Sequence, residues 1–270
     1  MLGAMRGLIG VVHLPAMPGD PAHRSGGFAG VLEHARRDAE RLAEGGADAV
    51  IVENFGSAPF PKGTPEQPTP PHQIAAITLA VAACRAASGL PVGVNVLRND
   101  VRAAIGIAAA AEASFVRVNV HVGAYVTDQG LIEGRAFETL RYRRELGAEA
   151  IAILADVRVK HASPLAPVPV AVEVEDCLRR GGADAVVVTG AGTGKPVSPA
   201  LLEEVRSAAG EGRVLIGSGL DPDRAEALAP LADGAIVGTW LKEGGDVRAP
   251  IDPARVRMLR DATAGRWRSR

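Results

Sequence analysis

The chain has 270 residues, a formal net charge of −1, 47% hydrophobic and 23% charged residues, and 3% aromatics. That balance supports a sizeable core and excludes extended disorder. It offers no general attraction to nucleic acid or anionic membranes, and the scarcity of aromatics leaves few platforms for stacked bases.

The length fits one large domain or two small ones. The two cysteines, Cys84 and Cys177, lie far apart without metal-ligand spacing and are read as reduced structural thiols of a cytoplasmic chain. The apolar N-terminal run ends in His13, Pro15, Pro18 and Asp20 with no small-residue cleavage pattern, so a first strand is expected there rather than a signal peptide. No segment approaches the roughly 20 apolar residues of a spanning helix, which leaves only peripheral membrane association open. The last residues, 266–270, read as a solvated basic tail.

In chain order, Val/Ile-rich runs fall at 8–13, 49–54, 92–97, 115–120, 151–157, 185–190, 214–219 and 235–240. Helical patterns fall between them, near 28–44, 72–87, 100–111, 133–146, 170–180, 198–209 and 221–229, with a last one near 253–265. Eight strand–helix units with near-continuous apolar strands predict a single (β/α)8 TIM barrel spanning residues 1–270, with no linker dividing it. A doubly wound open sheet would need a glycine-rich first turn, and the first strand instead runs into HLPAMPG. The phrase GGADAV occurs at Gly45–Val50 and again at Gly181–Val186, with looser copies at 146–154 and 111–118. It reads as the helix-to-strand turn of the barrel floor, with glycine taking the left-handed position, and is compatible with a duplicated half-barrel.

Barrel strands alternate side chains inward and outward, and active sites sit at their C-terminal ends. With valines turned towards the helices, the other row brings His13, Glu53, Asn95, Arg117, Asn119, His121, Asp156, Arg158, Lys160 and Thr189 to the mouth. Charged groups there must be paired or used. From this ring His13, Glu53, Asn95, Arg117, Asn119, His121, Asp156 and Lys160 are the candidate catalytic set. Asp156 is expected to pair with Lys160 and hold it as a general acid; with a lowered pKa, Lys160 would be a Schiff-base nucleophile. His13, Glu53, His121, Asp156 and His161 offer imidazoles and carboxylates for a divalent metal, but no HxH or HExxH spacing assigns one.

The loops after the seventh and eighth runs carry Gly217, Ser218, Gly219, Gly238 and Thr239. Small residues there let backbone N–H groups approach a phosphate, and Asp221-Pro222 reads as a helix cap. GAGTGK at 190–195 lacks the residues of a P-loop and reads as a mouth loop with Lys195 as a ligand contact. Two long loops, 13–27 and the proline-rich 54–71, are placed to cover a ligand or meet another subunit of a homo-oligomer.

IGVVHLPAMPGDP, VENFGSAPF, DVRVKHASPL and VTGAGTGKPV resemble the BtpA/SgcQ family, with matching segments from residue 9 to about 240. The resemblance implies a barrel related to the ribulose-phosphate-binding barrels. One branch of that family is tied to photosystem I biogenesis or stability in cyanobacteria and another to sugar-metabolism operons, and no agreed catalytic residues come with it. Its motifs fall on His13, Glu53, Asn54, Asp156, Lys160 and His161. Three functions follow as expectations: an isomerase or aldolase/lyase on a small phosphorylated metabolite, a non-catalytic biogenesis factor for a membrane protein complex, and a metal-dependent hydrolase.

Overall fold

A computed structural model describes residues 6–190, 192 and 196–268. The expected role of Lys195 lies outside the described residues.

The barrel strands are β1 (Gly7–His13), β2 (Ala49–Glu53), β3 (Val92–Asn95), β4 (Phe115–Val118), β7 (Ala152–Val157), β9 (Ala185–Val188), β10 (Arg213–Ile216) and β11 (Gly234–Val237). All pair in parallel, and β11 returns to β1 to close the sheet. Helices α1 (Gly27–Gly45), α2 (Pro71–Ser88), α3 (Val101–Ala110), α4 (Ala136–Glu145), α5 (Val170–Glu175), α6 (Pro199–Ala209), α7 (Pro222–Leu228) and α8 (Pro253–Thr263) accompany them. The TIM barrel expected from the sequence is therefore the fold.

The alternation works as the valine rows require. Ile9, Val11, Ala49, Ile51, Phe115, Leu154, Ala185, Val187, Leu215 and Ile236 fill the interior, while Val12, Val50, Val52, Val116 and Val118 pack against the helices. Helix α1 presents Val31, Ala35, Asp38, Ala39 and Leu42 to that outer core, a helical stripe with one carboxylate in it. Proline at the first turn and an acceptor side chain before it start several helices: Ser198 accepts from Leu201 N–H (3.2 Å), Asp221 from Arg224 N–H (3.0 Å) and Asp252 from Ala254 N–H (2.9 Å).

The floor explains the repeated GGADAV. The second glycine of each pair, Gly46 (φ 85°) and Gly182 (φ 63°), takes the left-handed conformation, as does Gly147 (φ 61°) in a looser copy. The aspartate then pins strand register. Asp48 accepts from Leu8 N–H (2.7 Å), and Asp184 from Ile153 N–H (2.8 Å). Asp233, before β11, accepts from Val214 N–H (2.9 Å) in the same way. Each carboxylate thus fixes the first residues of the preceding barrel strand.

Two features depart from the sequence reading. The stretch before the helix expected near 133–146, for which no element was expected, forms a hairpin, β5 (Ala124–Thr127) and β6 (Gly130–Glu133), joined by β8 (Ala162–Pro164) into a small antiparallel sheet; the expected helix follows as α4. Its inner face adds Tyr125 and Ile132 to Val120 and Val159. The tail expected to be solvated is tied down at Trp267, which packs on the core, and at Arg268, whose N–H donates to Ala232 O (3.0 Å), while residues 269–270 lie outside the described ones.

The two long mouth loops are ordered and joined. Asp20 accepts from Met17 N–H (2.6 Å), Ser57 Oγ (2.7 Å) and Gln73 Nε2 (2.6 Å), and so links the first loop to the second and to α2.

The barrel interior is filled to contact. A Cβ on Gly93 would lie 2.1 Å from Phe115 Cε2. Gly93→Ala is expected to lower unfolding free energy by about 1–3 kcal/mol, the range for an overpacked core. Urea denaturation measures it, and an unchanged midpoint would contradict the close fit.

Candidate active site

Chain exit from β1, β2, β4, β7, β10 and β11 brings most of the expected residues into one cavity. About 150 Å³ in volume, it is lined by His13, Glu53, Arg117, Lys160, Gly217, Ser218, Gly219, Gly238 and Thr239. Gly217 N–H donates to Val188 O (2.7 Å), and Ser218 Oγ accepts from Gly190 N–H (2.9 Å). No backbone acceptor takes the N–H groups of Gly219 or Thr239 among the described residues. A Cβ at Gly238 would meet His13 Cε1 at 2.5 Å, so glycine is needed there for the imidazole to stand in the mouth.

Glu53 and His13 face each other, with Oε1 3.9 Å from Nε2. Asn95 Nδ2 donates to Glu53 Oε2 (2.7 Å) and fixes the carboxylate plane. Phe55 stacks at a tilt against the His13 ring, 4.7 Å between centroids. Burial lowers the His13 pKa well below 6.5, helped by the charges of Lys242 and Lys160, so the ring is neutral.

Asp156 does not pair with Lys160 as expected. Arg117 takes it bidentately, Nε to Oδ1 at 2.8 Å and Nη2 to Oδ2 at 3.0 Å, and Asn119 Nδ2 adds a third bond at 2.8 Å. The reason is register: Arg117 and Asp156 sit on adjacent barrel strands, whereas Lys160 lies beyond the end of β7. Asp156 is thus a buried anchor for Arg117 rather than a free acid. Burial opposes the Arg117 charge, but Asp156 outweighs it and raises the pKa.

Lys160 sits between Arg158 and His161, both with φ near 55°, a left-handed conformation that costs a non-glycine residue energy. Surrounding bonds hold this turn. Arg158 N–H donates to Glu173 Oε1 (3.1 Å), Thr189 Oγ1 to Arg158 O (3.1 Å) and Arg98 Nη2 to Lys160 O (2.9 Å). No carboxylate lies within 4 Å of Lys160 Nζ among the described residues. Burial lowers its pKa, and the Arg117 charge lowers it further.

His121 is not brought to the mouth. Its Nε2 bonds Gly181 O (2.8 Å), turned away from the cavity into the helical layer, and burial depresses its pKa. Asn54 is a splint, bonding Leu97 through both its oxygen (2.7 Å) and its nitrogen (3.2 Å). With His121 turned away and Asp156 fully bonded, the metal-ligand set does not assemble, and the described residues hold no group of three or more His, Cys, Asp or Glu suited to a metal ion.

Sequence reasoning did not find the second cavity beside the first, about 790 Å³, which shares His13, Glu53 and Lys160 and adds Arg24, His34, Phe55, Arg98, Lys242 and Arg248. Nor did it find the buried pair beneath, Lys242 Nζ to Asp38 Oδ2 at 2.9 Å, with side chains 1% and 0% exposed. His34 joins that pair to the mouth, its Nε2 3.4 Å from Asp38 Oδ2 and 3.1 Å from His13 O. The available signal was Asp38 itself, a carboxylate on the apolar stripe of α1.

The BtpA family model matches residues 4–265. A Synechocystis protein named photosystem I biogenesis protein BtpA is 46% identical over 257 residues, covering 95% of this chain and 88% of its own. Among solved structures, thiamine phosphate pyrophosphorylase from Pyrococcus furiosus aligns with a TM-score of 0.58 at 13% identity, covering 97% of this chain and 96% of its own. (S)-3-O-geranylgeranylglyceryl phosphate synthase from Thermoplasma acidophilum, in complex with sn-glycerol-1-phosphate, aligns with a TM-score of 0.58 at 17% identity, covering 96% and 93%. These two likenesses are of fold. No helix among the described residues is long and apolar enough to cross a membrane.

Two outcomes follow from the buried charges. Lys242→Met strands the Asp38 carboxylate and is expected to remove about 3–5 kcal/mol of stability in denaturant titrations; a loss under about 1 kcal/mol would mean the pair is not closed. His13, His34 and His121 are all held below 6.5 by burial, so the unfolded chain binds more protons as pH falls through 6.5. Stability contributed by neutral burial is therefore present above that value and drains away below it. Unfolding free energy should fall between roughly pH 7.5 and 5.5, less steeply in His121→Gln. A flat profile would sink this account.

Proposed function

The chain belongs to the BtpA family, and from the mouth it builds we propose an enzyme of isomerase or aldolase/lyase type acting on a small phosphorylated metabolite. One observation carries the reading: a single small cavity joins uncommitted loop amides at Gly219 and Thr239 to Glu53, His13, Arg117 and Lys160. The amides and Arg117 would take the phosphate. Glu53, aligned by Asn95, would remove a proton beside a carbonyl, and Lys160 would give one to the carbonyl oxygen or condense with the carbonyl carbon. Neutral His13 can relay either proton. The phosphorylated compounds named for the two structural neighbours support the substrate class without identifying the compound.

The relative's printed name supports a second reading, a non-catalytic role in assembling a membrane protein complex. Val126 and Leu131, paired across the hairpin, are both exposed, and so is Leu165 beside them; this is the surface that reading would use.

Calorimetric titration with inorganic phosphate and a panel of phosphosugars, followed by turnover and borohydride trapping, tests the enzyme. Glu53→Gln is expected to keep phosphate binding and lower turnover by about 10²–10⁴. Lys160→Met should abolish any borohydride-trapped adduct. No binding of inorganic phosphate or any phosphosugar would overturn the proposal in favour of the assembly role.

A further inference from the structure

Arg98 has no task in the chemistry above. It enters the larger cavity from the loop after β3 and is 5% exposed. A guanidinium carries five N–H donors. This one makes a single side-chain bond, Nη2 to Lys160 O at 2.9 Å. No carboxylate lies within 4 Å of it among the described residues; Asp156, Asp128 and Glu53 act on it only from a distance. A buried cation without a counter-ion is expensive unless a ligand supplies one.

The rest of the cavity wall agrees. Arg24, Arg98, Lys160 and Arg248 line it against Glu53 and Asp128, and Lys242 is already matched to Asp38. The wall therefore carries an excess of positive charge, with Arg98 its buried member and Arg24 and Arg248 at the exposed rim. The two cavities meet at His13, Glu53 and Lys160. The smaller one, about 150 Å³, has room for little beyond a phosphate group, so the body of a ligand must extend into the larger.

We propose that the substrate carries a second oxyanion, a carboxylate or a second phosphate, at the end remote from the phosphate held by Gly219 and Thr239, and that Arg98 binds it. The substrate class is then a phosphorylated sugar acid or a small bisphosphate, spanning both cavities with its reactive carbons over Glu53 and Lys160. This rests on the phosphate reading of the smaller cavity.

Calorimetry with four probes separates the two claims: ribitol 5-phosphate, 5-phosphoribonate, ribulose 1,5-bisphosphate and ribonate without phosphate. Wild-type protein is expected to bind 5-phosphoribonate, the bisphosphate or both at least about tenfold more tightly than the polyol phosphate. Which of the two gains more identifies the oxyanion. Arg98→Gln should erase that gain and leave ribitol 5-phosphate affinity unchanged, which also reports that the variant is folded; Arg98→Lys should restore part of it. Equal affinities in wild type, or a gain that survives Arg98→Gln, overturns the second-anion site and leaves the phosphate site standing. Arg98-dependent binding of ribonate with no binding of ribitol 5-phosphate overturns the phosphate site instead. No binding of any probe overturns both.

Discussion

Arg117 and Asp156 form the interaction on which the mouth depends. Both side chains are buried, the contact is bidentate, and Asn119 completes the carboxylate's bonding. Such a pair contributes little net stability, because desolvation offsets most of the attraction, but breaking it leaves a stranded charge. Its consequence is positional. It fixes a guanidinium in the wall of the small cavity and removes Asp156 from acid–base work. It also leaves Lys160 without a counter-ion, with the positive field of Arg117 beside it.

The two ends of the barrel solve different problems with the same residue types. At the floor, Asp48, Asp184 and Asp233 accept backbone N–H groups of the neighbouring strand and lock register. At the mouth, Glu53 leaves one oxygen free of neutral donors and turned towards His13. GGADAV serves the floor twice; at the far end of the strand that follows each copy, Glu53 enters the cavity while Thr189 holds the Lys160 turn.

The fold was legible because eight Val/Ile-rich runs alternate with helical patterns, and apolar rows set the phase of the first six strands. The same phase turned Glu53, Asn95 and Arg117 to the mouth, whereas Lys160 reaches the cavity through the left-handed turn beyond β7. The phase misplaced His121 because β4 ends at Val118, and alternation no longer holds beyond a strand's end. It misassigned the partner of Asp156 because pairing depends on neighbours across the sheet, which a single strand does not reveal. Lys242, Asp38 and Arg98 escaped notice for a related reason. Each lies on a helix or loop, and only tertiary packing brings it to the site. The hairpin at 124–133 was hidden by its shortness, four residues a strand on either side of Asp128-Gln129.

The Asp20 latch has one further consequence. By joining the 13–27 loop to the 54–71 loop and to α2, it makes the walls of the larger cavity part of the folded scaffold. A ligand entering there meets surfaces whose conformational freedom was surrendered during folding, not at the moment of binding. The free energy of each contact then goes into affinity rather than into ordering loops, and encounter need not wait for a lid to form.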